Sequence, residues 1–467
     1  MDRATLESLD RATLVELALR QAERIAELGG QFAEMERRFE ELERRAMRGA
    51  APFARPEGKR SASPKRPGRK GGHEGCFRVQ PPEGAVDRRV EAPLTHCPHC
   101  GEALEPETDE VLEQTLIEAP VACPQVIRLA THRNLCRGCG RRVASTHPLQ
   151  VSKASGAAGT HLGPRALALA ASLNKGLGLT MRTTCRVLRD LAGIGLSPGG
   201  LSHALARMAK RLEPSYDGLL EAVKAEPVLH TDETSWWVGG SGASLWVLTN
   251  RAGTAYRVVR SRSRSEAVAL MGDYRGVLVS DCLNIYDDLT PRQHKCYAHH
   301  LKAIGEALED SRARASPYLR ELRGLLVGAM ALKGEMAGLP AAQVARMRRA
   351  LEESATRLLG SPRSWLNAGP DAASVEEKLR HRLEKQRDHL FTFLDHEAVD
   401  ATNNLAERQL RPAVVGRKLS CGNKTERGAR TWQVLASLAA TCRQTGAAFP
   451  DFLIPRLALD PSLTQAR

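Results

Sequence analysis

Pro227-Val-Leu-His-Thr-Asp232 opens on a proline, runs through apolar and β-branched residues, and closes on a carboxylate. That pattern predicts a β-strand. The β texture continues to Asp288, through Ser244-Leu-Trp-Val-Leu-Thr and Ala255-Tyr-Arg-Val-Val, with a Gly239-Gly-Ser-Gly turn before the second strand. A helix around 265–271 then leads into Gly276-Val-Leu-Val-Ser-Asp281, another apolar strand that ends on an aspartate.

Strand–strand–strand–helix–strand is the element order of the ribonuclease-H-like fold, in which acids stand at the ends of the first and fourth strands. A third acid lies in Asp400-Ala-Thr-Asn-Asn-Leu-Ala-Glu407-Arg408-Gln-Leu-Arg411-Pro412. On a helix, Asn404, Glu407, Arg408 and Arg411 fall at i, i+3, i+4 and i+7 and share one face. Leu405, Ala406 and Leu410 lie away from it and suit a core, and Pro412 is expected to end the helix soon after. Phosphodiester chemistry on Mg²⁺ (or Mn²⁺) needs such a set of carboxylates, one of them bridging two ions. Asp232, on the central strand, is the natural bridge, with Asp281 and Glu407 completing the set. Each acid also has an ordinary reading: Asp after a strand forms turns or caps, and Glu407 can pair with Arg411 at i+4. Glu233 follows Asp232 directly, so on a strand it points to the opposite face. Asp287 and Asp288 read as a strand-end or helix-cap pair.

The chain has 467 residues, 42% of them hydrophobic, which allows several domains with sizeable cores. Sixty-eight Lys and Arg against 54 Asp and Glu leave a net charge of +14, which favours a polyanionic partner. Aromatic residues make up only 4%, which argues against a stacking platform for single strands. The sequence has no uninterrupted apolar run of membrane-spanning length, and its N-terminus is charged rather than signal-like. These features predict a cytoplasmic protein with no membrane partner. The 11 cysteines are odd in number and include two Cys-x-x-Cys pairs, so metal binding is a better reading than disulfides.

Eight segments follow from these patterns. Residues 1–48 carry a coiled-coil seam at Ile25, Leu28, Phe32, Met35, Phe39, Leu42 and Ala46, weakened by Gly29-Gly30. A basic flexible linker spans 49–85. In 86–150, Cys97-Pro-His-Cys100-Gly and Cys136-Arg-Gly-Cys139-Gly form two knuckles of a Cys₄ zinc ribbon for structural Zn²⁺, with His96, His99 and Cys123 as bystanders. Residues 160–225 have the rhythm of a helical DNA-binding region, with Ser197 capping a helix that has Pro198 at its first position. The first part of the ribonuclease-H-like core takes 226–309, a helical insertion 310–398, the second part with the Glu407 helix 399–447, and a C-terminal tail 448–467. The expected fold is therefore a multidomain α/β protein.

The chain resembles the insertion sequence 66 family of transposases, in the Asp-Asp-Glu group, over nearly its whole length. The resemblance rests on the coiled coil, Gly-Arg-Lys-Gly-Gly-His73-Glu-Gly, the Cys₄ unit, His230-Thr-Asp-Glu-Thr, Ser280-Asp-Cys, Cys296-Tyr-Ala-His299 and, most specifically, Asn403-Asn-Leu-Ala-Glu-Arg-Gln-Leu-Arg-Pro. Tyr297 stands where the family pattern has Trp, and the Gly-Gly-His segment lacks its proline; neither is a triad position. The resemblance implies a catalytic triad of Asp232, Asp281 and Glu407. It also implies Mg²⁺-dependent cleavage at the ends of a mobile element and transfer of the 3′ hydroxyls to target DNA. Its partners would be double-stranded DNA of element ends and target, further copies of the chain in a homo-oligomer, and accessory proteins of the same element. The setting would be the bacterial nucleoid. Arg408, Arg411, Arg417, Lys418 and Asn404 are read as DNA contacts. His299, three residues after Cys296, has three readings: a second zinc half-site, a donor to phosphate beside the active site, or a packed structural histidine. The second groups it with the DNA contacts. Two rival classes stand beside the transposase: a hydrolytic nuclease on the same fold, and an inactive zinc-dependent DNA-binding regulator derived from a transposase.

Overall fold

The computed structural model describes residues 81–90, 96, 99–103, 115–117, 124–145, 147, 149–152, 161–309, 316–360 and 370–457. The expected coiled coil, most of the basic linker, His73, Cys97 and Cys123 lie outside the described residues. The chain divides into two compact units, Met1–Ala119 and Pro120–Arg467. In the first unit the described residues include a 3₁₀ turn at Glu83–Ala85 and a bridge between His96 and Ala103.

The second unit contains a small antiparallel pair, β1 (Arg133–Leu135) and β2 (Arg142–Ala144). Four helices follow: α1 (Pro164–Ala171), α2 (Met181–Ala192), α3 (Pro198–Arg211) and α4 (Glu213–Ala225). Gly193 ends α2 with φ 62, in the left-handed region that a side chain would strain, and the Ser197 hydroxyl caps α3 by accepting the Gly200 N–H at 3.0 Å. The helix–glycine turn–helix rhythm and its Ser-Pro start were thus legible in the sequence.

The main sheet is built from β3 (Val228–Val238), β4 (Ser241–Thr249), β5 (Thr254–Val259), β6 (Val277–Ser280) and β7 (Arg292–Lys295), with α5 (Arg264–Met271) before β6. Its order is β5-β4-β3-β6-β7; β3, β4 and β5 pair antiparallel, whereas β3, β6 and β7 run parallel. The helix α6 (Tyr297–Glu309) leaves β7, and α7 (Pro317–Glu335), α8 (Ala341–Gly360), α9 (Pro370–Glu384) and α10 (Thr392–Asp395) come before the chain returns. It ends with α11 (Asn404–Ser420), α12 (Glu426–Thr445) and α13 (Phe449–Leu457).

Strand periodicity assigns the layers. On one face, Trp236, Leu245, Val247 and Tyr256 pack against Ala406, Leu410 and Ala413 of α11 and Ala436 and Ala440 of α12. On the same face, Val228, Val277 and Val279 join Tyr297 and Ile304 of α6 and residues of α7, α8, α9 and α10. The opposite face buries Leu229, Trp246, Leu248 and Leu278 against Val223 of α4 and Ala267, Leu270 and Met271 of α5. A separate helical core joins Leu188, Leu201 and Leu205 to Leu435 and Leu438 of α12 and Phe449, Leu453 and Leu457 of α13.

Three expectations need correction. Pro412 does not end its helix: α11 runs on to Ser420, because Ala406, Leu410 and Ala413 keep it seated on the sheet while Pro412 sits on its exposed side. The C-terminal segment is not merely a tail, since α13 packs into the helical core. Finally, β3 does not close on Asp232 but runs on to Val238, because Glu233 to Val238 stay paired with β4, and no local pattern announces β7.

Candidate active site

Register places the two aspartates. His230 of β3 is paired with Val279 of the parallel β6, so two residues further along, Asp232 and Asp281 stand level on neighbouring strands. Ser280 is likewise paired with Lys295 of β7, which sets Cys296 level with Asp281. Asp232, Asp281 and Cys296 therefore form a row across three parallel strands, part-way along β3 and just past the carboxyl ends of β6 and β7, roughly 5 Å from strand to strand. By the alternation of β3, Asp232 shares the face of Trp236, the face that α11 covers. This row is where an open sheet presents side chains to a ligand.

Asn403 brings in the third acid. It is completely buried, and its side chain donates to the Thr231 carbonyl at 2.8 Å and meets His230 Nδ1 at 3.1 Å. Its backbone N–H donates to Cys296 Sγ at 3.1 Å, and its carbonyl accepts the Glu407 N–H at 3.2 Å. One residue thereby ties the start of α11 to β3 and to the end of β7. Sequence reading had singled out its neighbour Asn404, which is exposed. The doubled Asn-Asn was the available signal, but only burial distinguishes the two.

The electrostatics of Asp232 follow from this assembly. Burial, then the charges of Glu233, Asp281 and Glu407, push its carboxyl up to about 7, opposed by the Glu233 N–H that it accepts at 2.8 Å. Asp281 accepts the Leu283 N–H at 3.0 Å. Glu233 faces the other side, as alternation predicts, where Arg262 and the Tyr286 hydroxyl donate to its buried carboxylate. Burial raises Glu233, and the Tyr286 and Arg262 hydrogen bonds only partly offset that.

The remaining expected site residues divide in two. Asn404, Glu407, Arg408, Arg411 and Lys418 are exposed along α11. Arg417 turns back onto β3, where its Nη1 donates to Thr234 Oγ1 at 3.1 Å and to Ser235 Oγ at 2.6 Å. His299 lies in the first turn of α6, half-buried, close to Cys296 and Glu407. Among the described residues, the ligand atoms of Cys296, His299 and Glu407 form a group of three within 4.8 Å of one another, a closeness the three acids do not reach. At the other expected metal centre, Cys136 and Cys139 lie in a turn between β1 and β2 that the Gly140 N–H closes onto the Cys136 carbonyl at 2.8 Å. The Cys139 backbone N–H, more than any other cause, lowers the Cys136 thiol. Cys100 is exposed.

Residues 159–431 match the family described as "Transposase IS66 family". The chain belongs to this family. The matched segment contains Asp232, Asp281, Cys296, His299, Asn403 and Glu407, and leaves out the four cysteines of the expected zinc ribbon. Three uncharacterized proteins of Sinorhizobium fredii (strain NBRC 101917 / NGR234) are similar to this transposase-family chain. Protein y4qI is 26% identical over 57% of this chain and 53% of its own length. Protein y4jD is 25% identical over 54% of each. Protein y4hP is 26% identical over 84% of this chain and 74% of its own length. The chain thus spans about half the length of the first two relatives. Among the described residues, no helix is long and apolar enough to cross a membrane.

Proposed function

We propose that the chain is a transposase that cleaves and joins DNA at a ribonuclease-H-like site made of Asp232, Asp281 and Glu407. The observation that carries this reading is the level pair of aspartates on β3 and β6, with Glu407 held nearby by Asn403. The sheet order β5-β4-β3-β6-β7, three antiparallel strands followed by two parallel ones, supports the fold assignment. The donor set suits a hard divalent cation: Asp232 is buried among carboxylates that all push its proton affinity up. When bound by Asp232, Asp281 and Glu407, Mg²⁺ (or Mn²⁺) would supply activation of the attacking oxygen and stabilisation of the leaving one.

The side chains themselves hold the reacting groups. Asp232 and Asp281 define the floor of the site, and Asn403 fixes the approach of Glu407. The exposed Arg408, Arg411 and Lys418 follow Glu407 along α11 and would track the DNA backbone, whose phosphates they can position. Arg417, anchored on β3, would add charge at the same edge. The first attack would use water to leave a 3′ hydroxyl, and the second would use that hydroxyl on a target phosphodiester, with no protein-bound intermediate. Cys136 and Cys139, in the turn between β1 and β2, would supply one half of a structural Zn²⁺ shell, and residues 1–48 would associate copies of the chain.

Purified protein, Mg²⁺ and DNA carrying the ends of the element test this reading. Wild type should yield joined strands, and Asp232→Asn should lose at least about a thousandfold in cleavage. Cleavage without joining would point to a hydrolytic nuclease. DNA binding with no chemistry in wild type would point to a regulator.

A further inference from the structure

Cys296, His299 and Glu407 present sulfur, nitrogen and oxygen donors within 4.8 Å of one another. Three elements converge to do this: the end of β7, the first turn of α6 and the first turn of α11. The His299 N–H donates to the Cys296 carbonyl at 3.2 Å, so the two side chains leave one turn together. Cys296 is fully buried and stands level with Asp281, and Asn403 donates to its sulfur and accepts from the Glu407 amide. His299 has a ring nitrogen, Nδ1, that is shielded from solvent and has no hydrogen-bond partner. An unused imidazole nitrogen beside a thiol and a carboxylate is costly unless a ligand engages it.

We infer that Cys296, His299 and Glu407 form a binding site for a thiophilic divalent cation, Zn²⁺ in the first instance, separate from the carboxylate site but sharing Glu407 with it. The chemistry separates the two ions. Mg²⁺ takes oxygen ligands, whereas Zn²⁺ accepts thiolate, imidazole and carboxylate in a tetrahedral shell at about 2.0–2.3 Å. Three protein donors leave a fourth position open. As the metal–sulfur bond forms, the Cys296 thiol gives its proton to solvent. A carboxylate engaged by Zn²⁺ is withdrawn from Asp232 and Asp281, so the site is inhibitory. This consequence, unlike the binding itself, rests on the role proposed above for Glu407.

Zinc stoichiometry of the full chain, measured by competition with a chromophoric chelator, tests the site. Wild type should hold one more Zn²⁺ than Cys296→Ser or His299→Ala, or bind that ion about ten- to a hundredfold more tightly. Asp232→Asn should keep it, because all three donors remain. Circular dichroism of His299→Ala, a half-buried position, separates ligand loss from unfolding. Co²⁺ substitution should add thiolate-to-metal charge-transfer absorbance that Cys296→Ser lacks. Equal stoichiometry, affinity and cobalt spectra in wild type and both variants overturn the proposal. Where Mg²⁺-dependent cleavage is measured, added Zn²⁺ should suppress it at least about tenfold more in wild type than in Cys296→Ser. A wild type that binds the extra zinc but never cleaves DNA would sink the catalytic reading and leave the metal site standing.

Discussion

Asp232 concentrates the conflict on which the proposed chemistry depends. A carboxyl raised from its ordinary 3.8 to about 7 holds its proton more tightly in the fold than in the unfolded chain. Between these values the native state binds more protons, so this group's contribution to stability falls as pH rises and its cost is complete above about 7. Asp232→Asn removes that cost. In chelator, the variant should gain on the order of 3 kcal/mol over wild type at pH 8 and show no gain near pH 3, read from urea denaturation at each pH. A gain that is the same at both pH values would mean that burial strain, not ionisation, sets the energy of this residue. The aspartates were legible in the sequence because each follows an apolar β run, although β3 continues past Asp232 to Val238. Asn403 was not, since nothing in Asn403-Asn404 distinguishes the buried cross-link from its exposed neighbour.

Elements declare themselves when pattern and burial agree. The strands β3, β4 and β6 are apolar runs in the sequence, and they occupy the centre of the sheet. Strand β7 is Arg292-Gln-His-Lys295, with no apolar residue, yet Gln293, His294 and Lys295 are buried. Gln293 donates only to the nearby Thr290 carbonyl, but the other two are accepted through partners on other segments: His294 Nε2 meets the Ala401 carbonyl at 3.2 Å, and Lys295 donates to Ser280 and pairs with Asp287. Such pairings appear only with the tertiary fold, so no local pattern could reveal them. The helix α11 makes the reverse case, where a strong local rule loses to packing. Pro412 lacks the N–H that would bond the Arg408 carbonyl, but the helix survives on the apolar contacts of its buried side. Restoring that bond in Pro412→Ala should stabilise the protein by about 1–2 kcal/mol, after allowance for the greater freedom of the unfolded variant. A guanidinium midpoint below that of wild type would show that the ring itself packs favourably. The next loop closes on β3 through Gly422 at φ +86, where a Cβ would strike the Trp237 carbonyl.

At the scale of the whole second unit, the helices between β7 and α11 are bound to the sheet by charge as well as by apolar packing. Asp287, after β6, lies buried between Lys295 of β7, at 3.3 Å, and Lys385, just beyond α9, at 2.8 Å, and Gln386 donates to it at 2.9 Å. Burial raises its carboxyl, but the Lys385, Lys295 and Gln386 interactions outweigh that and hold it below its ordinary value. Its contribution is therefore present above the ordinary value of 3.8 and is lost as pH falls through the lower folded value. From sequence Asp287 reads, with Asp288, only as a strand-end or helix-cap pair, since its lysine partners lie on other elements and Lys385 is nearly a hundred positions away. Asp287→Ala leaves Lys295, 2% exposed, without its carboxylate, and should cost about 3–5 kcal/mol in urea denaturation. Pairing it with Lys295→Met should recover most of that loss, because the double variant buries no uncompensated charge. The single variant should also open the join between these helices and the sheet, seen as faster amide exchange at residues 385–395 than in the strands β3 and β4. If exchange rises uniformly instead, the ion cluster stabilises the unit globally, and the helices and the sheet unfold as one.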